Sequence, residues 1–104
     1  MHNMVYLIGR LAEDVNVEGE LGTFNLNVQC YDMYDNEEER EKYRTLTFNV
    51  HIHGQITTHT AEYVHKGDLV GIKGQLDKDE DGNIFISVDR ISFLASAKKE
   101  KEEK

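Results

Sequence analysis

Proline and tryptophan are absent from this chain, and cysteine occurs once, at Cys30. A lone cysteine excludes an internal disulfide and a cysteine-based zinc cluster, and it fits a reducing, cytoplasmic setting. No apolar run approaches the roughly 18 to 20 residues that a membrane-spanning helix needs. The start, Met1-His2-Asn3-Met4-Val5, has no basic region followed by a long apolar one, so no secretory signal is expected. Cations are scarce: 12 Lys and Arg stand against 20 Asp and Glu, for a net charge of -8. A protein that holds nucleic acid by charge alone has the opposite balance. The length, 104 residues, excludes a two-domain enzyme with an interdomain cleft. A core this small often gains from self-association.

The acids are not spread evenly. Five lie in 35–41 (DNEEERE) and four in 77–81 (DKDED), both loop-like, so the rest of 1–97 is nearly neutral. The tail 98–104 (KKEKEEK) is charged throughout and offers no core face, which predicts a disordered segment after a domain at 1–97.

The body alternates in the manner of strands. Residues 4–12 (MVYLIGRLA) are apolar and β-branched or aromatic, with Gly9 inside, where a strand glycine marks a bulge or bend. A turn-rich stretch follows at 18–22. Then Phe24, Leu26, Val28 and Cys30 share one face, while Asn25, Asn27, Gln29 and Tyr31 share the other. After the acidic loop, Leu46, Phe48, Val50 and Ile52 point one way. Tyr43, Thr45, Thr47, Asn49, His51 and His53 point the other. This is the pattern of two half-buried antiparallel strands. Residues 55–66 fit a short helix with Ile56, Thr60, Tyr63 and Val64 on one face, and Gly67 reads as its C-terminal cap. Two further strands, 69–76 and 84–93, flank a hairpin turn through Asp81-Gly82-Asn83. The fold class is therefore all-β. Five strands with one short helix between the third and fourth is the order of an OB-fold, a partly open barrel that often binds oligonucleotides.

Catalytic chemistry has little support. Cys30 lies on the inward face, no glycine-rich phosphate loop appears, and the carboxylates gather in loops. His51-x-His53 sets two imidazoles on one strand face, but no third ligand is placed with them. Asp77-x-Asp79-x-Asp81-Gly82 copies the start of a calcium loop, yet the position that calls for Glu holds Val88. No enzyme activity, metal or cofactor is expected.

Four segments are similar to the bacterial single-stranded DNA-binding protein family, of which primosomal replication protein N is a relative. VYLIGRL at 5–11 resembles the family's first strand, and Gly22-Thr23-Phe24-Asn25-Leu26 its second-strand start. Ile52-His53-Gly54-Gln55 resembles the end of the third strand and its turn. The stretch from Glu62-Tyr63-Val64-His65-Lys66-Gly67 through Lys73-Gly74-Gln75-Leu76 is the most specific match, and the likeness covers about 4–94. Two family aromatics on the third strand, a Trp and a Phe, are replaced here by Thr47 and His53. The family's basic, Trp-bearing hairpin after Gly-Gln-Leu is short and acidic here. In place of the family's acidic tail with its apolar, partner-recruiting tip, this chain has a tail of mixed charge.

The resemblance implies single-stranded DNA as partner, a role in replication, recombination or repair, and a homo-oligomer, dimer or tetramer, paired through the first strand. Replication or primosome proteins are further expected partners. The residues point to the outward face of the two alternating strands, because amides, hydroxyls and rings suit base edges and faces. Tyr31 and Tyr43 are expected to stack on bases, with Asn25, Asn27, Thr47, Asn49, His51 and His53 beside them. Tyr34 and Phe85 are further aromatic candidates, Phe85 pointing opposite to Ile84 and Ile86 and hence outward. Among the cations Arg10, Arg44, Lys66, Lys73 and Arg90, Arg44 is the one expected near the face. Such a face also suits a subunit contact or plain solvated surface. An interaction module of the same fold with weak DNA affinity is the alternative function.

Overall fold

The computed structural model describes residues 2–35 and 40–97, with side chains for all of these except 32–35 and 40–42. The tail 98–104, the acids at 37–39 and the Tyr34 side chain lie outside the described residues. Six strands and one helix follow in the order β1 (Val5–Leu11), β2 (Asn16–Glu18), β3 (Leu21–Asp35), β4 (Arg40–His53), α1 (Gln55–Tyr63), β5 (Leu69–Lys78) and β6 (Ile84–Ala95).

The ladder runs β1-β5-β6-β4-β3, and a second pairing of β1 with β3 closes it into a barrel of five strands. That closure rests on Arg10↔Asn27 and Leu11↔Leu26. Here Gly9 performs the duty expected of it: a Cβ at this position would run into the carbonyl of Asn27, so only a bare backbone lets β1 reach β3. All pairings are antiparallel except β4 with β6, which meet at Val50↔Ile86 and His51↔Ser87. The short β2, at Asn16–Glu18, adds to the edge of β3 opposite Leu21–Thr23, where the sequence reads as turn. Three exposed residues are too few to display a period, so alternation does not reveal this strand.

The expected inward set forms the core. Phe24, Leu26, Val28, Val50 and Ile52 are buried, joined by Leu11, Val64, Val70, Ile72 and Ile86. Phe48 and Cys30 are only partly buried against it. Both lie toward the end where β3 and β4 leave the barrel as a ribbon that continues to Asp35↔Arg40. Ile84, expected inward, departs from the expectation with 61% exposure, and Leu76 beside it on β5 is 50% exposed. They keep the inward parity, but the β5–β6 hairpin has already passed the barrel's rim.

The helix closes one end. Thr57 and Thr60 are buried, and the Thr57 hydroxyl lies 2.9 Å from the Glu20 carbonyl and 3.0 Å from that of Ile52. α1 ends at Tyr63, three residues before the expected Lys66, because Val64 turns extended and enters the core. Gly67 does take a positive φ of 87°, but in the turn after the helix, not as its cap. Tyr63, expected on the packed face, is exposed and lies against His59, ring centroids 4.8 Å apart. The buried Asp68 ties this turn to the end of β6, accepting from the His65 and Ala97 amides at 2.9 and 3.1 Å. Among the described residues no helix is long and apolar enough to cross a membrane.

Candidate nucleic-acid interface

The β3–β4 register sets the outward residues opposite one another as read from their alternation: Asn25↔Asn49, Asn27↔Thr47, Gln29↔Thr45 and Tyr31↔Tyr43. Directly opposed residues share a face. Their polar groups bond across the strands. The Thr47 hydroxyl donates to the Asn27 Oδ1 at 2.8 Å, and the Asn49 Nδ2 to the Asn25 Oδ1 at 3.3 Å. His51 Nε2 lies 2.7 Å from the Asn49 Oδ1. The face is therefore a pre-ordered lattice of amides and hydroxyls, exposed enough to exchange these bonds for those of a ligand.

Aromatic pairs stand at both ends. Tyr31 and Tyr43 meet edge to face, centroids 5.8 Å apart and planes at 79°. At the other end His51 stacks on Phe85 of β6, 3.9 Å apart and 14° from parallel. Phe85 thus joins the face through the parallel β4–β6 contact. His53 follows along β4, its ring 6.5 Å from that of His51. The His51 imidazole is held below the ordinary histidine value, first because burial disfavours its charged form and then because His53 is a like charge nearby. Asp79 and Asp77 oppose that shift from the β5–β6 hairpin.

Parity does not reveal everything here. Glu13, from the segment after β1, accepts the Asn25 amide at 3.0 Å and so places a carboxylate at the rim of the face. Arg44 lies opposite Cys30, on the reverse side of the ribbon from Tyr43 and Thr45. Arg10 lines a concavity of about 490 Å³ with Ile8, Asn27, Gln29 and Thr45, beside the barrel closure. Its guanidinium donates to the Gly67 carbonyl at 3.0 Å. The register Arg10↔Asn27 brings it there, a long-range pairing with no local sequence signal.

The Asp77–Asp81 segment belongs to the β5–β6 hairpin. The Asp79 carboxylate accepts from the Asp81 and Asn83 amides, each at 2.9 Å, and those bonds, the Asn83 amide foremost, hold it below the usual carboxylate range. Among the described residues no group of three His, Cys, Asp or Glu is set to hold a metal ion.

The chain matches the model of the single-strand binding protein family over residues 2–83. It is 31% identical over 104 residues to the single-stranded DNA-binding protein of Thermosynechococcus vestitus, covering 90% of this chain and 83% of that one. Among solved structures it resembles the small single-stranded DNA-binding protein of Streptomyces coelicolor, with TM-score 0.72 and 21% identity over 90% of this chain and 96% of the other. It likewise resembles the Plasmodium falciparum SSB in complex with ssDNA, with TM-score 0.73 and 20% identity over the same shares, 90% and 96%. At such identities the two structures speak for the fold. The family model and the cyanobacterial relative speak for more: this chain belongs to the single-strand binding protein family.

Proposed function

We propose that the protein holds single-stranded DNA non-covalently and with little sequence preference, along the outer face of β3 and β4, in replication, recombination or repair. The observation that carries the reading is the face itself. A lattice of amides and hydroxyls runs between the Tyr31–Tyr43 pair and the His51–Phe85 stack, on a chain of this family. Tyr31, Tyr43, His51 and Phe85 offer ring faces to bases, which stack without regard to sequence. Asn25, Asn27, Thr47 and Asn49 offer donors and acceptors to base edges, and His53 extends the row. Arg10, beside the barrel closure, is the nearby cation, whereas Arg44 stands on the reverse side of the ribbon.

The mechanism follows from the charge. With a net charge of -8 and few cations, electrostatic attraction is weak, so stacking and hydrogen bonding carry the binding. Micromolar rather than nanomolar affinity is the expected outcome. An electrophoretic shift with oligo-dT at low salt tests this. No shift, for both the wild type and a variant with 37–39 neutralised, would overturn it.

A second surface favours self-association. Tyr6, Ile8 and Leu94, exposed at 72%, 62% and 49%, gather around Gly71 on the outer side of β1, β5 and β6. From Val5 to Ile8 the strand β1 pairs with β5 alone, and an unpaired strand edge invites a partner. We place the homo-oligomer contact here, with Met4 to Leu7 near it, and expect a dimer or tetramer. Sedimentation that shows monomer alone at micromolar concentration would remove this claim. Recruitment of replication or primosome proteins onto the complex is a further expectation, which co-sedimentation with oligo-dT present would test.

A further inference from the structure

Two of the rings on the polar face can carry charge. His51 and His53 stand on the outward side of β4, alternate residues with ring centroids 6.5 Å apart. His53 is exposed and His51 half-buried. The lattice decides which nitrogen of His51 is available. Its Nε2 lies 2.7 Å from the Asn49 Oδ1, an amide oxygen that only accepts, so Nε2 carries the hydrogen of the neutral ring. The Asn49 Nδ2 is turned to the Asn25 Oδ1 at 3.3 Å, which sets that orientation. Nδ1 is then the basic nitrogen of His51, with no hydrogen-bond partner among the described residues. Uptake of a proton there adds a donor and a positive charge without breaking the lattice. It also spares the stack, since an aromatic face such as that of Phe85, 3.9 Å away, attracts a cation.

The groups around the pair set its charge. From β3, Thr23 lies opposite His51 and Leu21 opposite His53, both uncharged. From β6, Ser87 lies opposite His51 and Phe85 stacks on it. Charge comes from the β5–β6 hairpin, where Asp79 and Asp77 favour the protonated His51, and from His53, which disfavours it. Glu20 adjoins the His53 end, its carbonyl accepting the Gly54 amide at 2.9 Å. Burial of His51 outweighs the carboxylates, so in the free protein this ring is neutral at neutral pH. A phosphate beside the pair acts the other way, because an adjacent anion favours the charged form of an imidazole.

We infer that His51 and His53 form a proton-gated phosphate contact: each takes up a proton from the buffer as a backbone phosphate of the strand arrives, so single-stranded DNA binds more tightly below neutral pH. The inference rests on the proposed DNA path along β3 and β4 and adds a dependence on protons to it. That path is poor in permanent cations, with Arg44 on the reverse side of the ribbon. Two titratable rings supply positive charge when a polyanion is present and leave the face neutral when it is not. The linkage has one sign. Bound DNA raises the proton affinity of the pair, so by reciprocity protonation raises the affinity for DNA.

Anisotropy of a labelled oligo-dT, measured from about pH 7.5 down to about pH 5.5, tests the gate. This window spans the histidine range and stays above that of the carboxylates. Wild-type affinity should rise about 2- to 5-fold for each histidine that meets a phosphate, the range of an exposed ion pair. The salt slope should steepen by roughly 0.7 per imidazolium formed. Titration calorimetry in two buffers of different ionisation enthalpy should show protons taken up on binding. His51→Gln with His53→Gln should flatten the pH dependence, whatever its affinity at neutral pH. His59→Gln with His65→Gln, on α1 and in the turn after it, should keep the wild-type dependence. Melting at each pH verifies that the protein measured is folded. Oligo-dT binding that does not change with pH overturns the gate and leaves the DNA path intact. So does a dependence that survives in the His51 and His53 variant, or one lost with His59 and His65 instead. Absence of oligo-dT binding by the wild-type protein across the whole range overturns both.

Discussion

Truncating either tyrosine of the Tyr31–Tyr43 pair should separate DNA affinity from stability. The rings lie opposite each other on the ribbon, 56% and 51% exposed, with centroids 5.8 Å apart. Neither fills the core, so Tyr31→Ala or Tyr43→Ala opens no interior cavity. The stability at stake is about that of one aromatic pair, 0.5–1.5 kcal/mol. The binding at stake is larger: a base stacked on a ring contributes about 1–3 kcal/mol, which corresponds to about a 5- to 150-fold loss in affinity for oligo-dT. Because the rings meet edge to face, each fixes the orientation of the other. The double variant should therefore lose less than the sum of the two single losses. Anisotropy of a labelled oligo-dT at low salt measures the binding, and thermal melting measures the fold. Tyr63→Ala, an equally exposed ring on α1, is the control and should bind as the wild type does. If the Tyr31 and Tyr43 variants bind like that control, the stacking argument fails at this end of the face.

Val50 is fully buried while Thr47 is exposed on the same strand. Val50→Ala should cost about 1–3 kcal/mol through the cavity it leaves, and Thr47→Ala much less; equal losses in denaturant titration would mean that the register of β4 is wrong. With few cations near the path, the slope of log affinity against log salt should be about one to three, at roughly 0.7 per phosphate neutralised. Neutralising 37–39 should raise affinity, and Arg44→Ala should leave the slope unchanged because Arg44 lies on the reverse side of the ribbon, a slope lowered by about one placing it on the phosphate path after all. His51 is held below its ordinary value of 6.5, so as pH falls the unfolded chain takes up this proton before the folded one does. The stability from neutral His51 is present above that value and is lost as pH falls below it, toward the folded pKa. Melting temperature measured from neutral pH downward should decline less in His51→Gln than in the wild type.

What the sequence carries of this molecule follows from which signals are local. Alternation over 24–31 and 43–53 is a period-two pattern, and it predicts both the buried series Phe24, Leu26, Val28, Val50 and Ile52 and the outward series that faces them. Helical spacing over 55–66 gives the helix its start at Gln55 but not its end at Tyr63, because Val64 is drawn into the core by long-range packing that such spacing cannot register. Pairings distant in sequence are equally silent. Nothing near Arg10 announces Asn27, and nothing in residues 84–86 announces that Phe85 will lie flat on His51.

Leu76 and Ile84 show the limit most clearly, and they also show what lies past it. Parity tells which side of a strand an apolar residue takes, and both residues take the inward one. Parity does not tell where the barrel ends, since that depends on how far β4 and β6 remain paired, and they remain paired for two positions. An apolar side chain placed inward but beyond the rim leaves its surface in water, a cost of roughly 25 cal/mol for each Å² of apolar area. In a chain of net charge -8 that holds single-stranded DNA, the stacking and hydrogen-bonding groups of the β3–β4 face must supply what electrostatics cannot. Ring pairs at both ends of a face of amides and hydroxyls are therefore physically consistent with an acidic protein that holds single-stranded DNA.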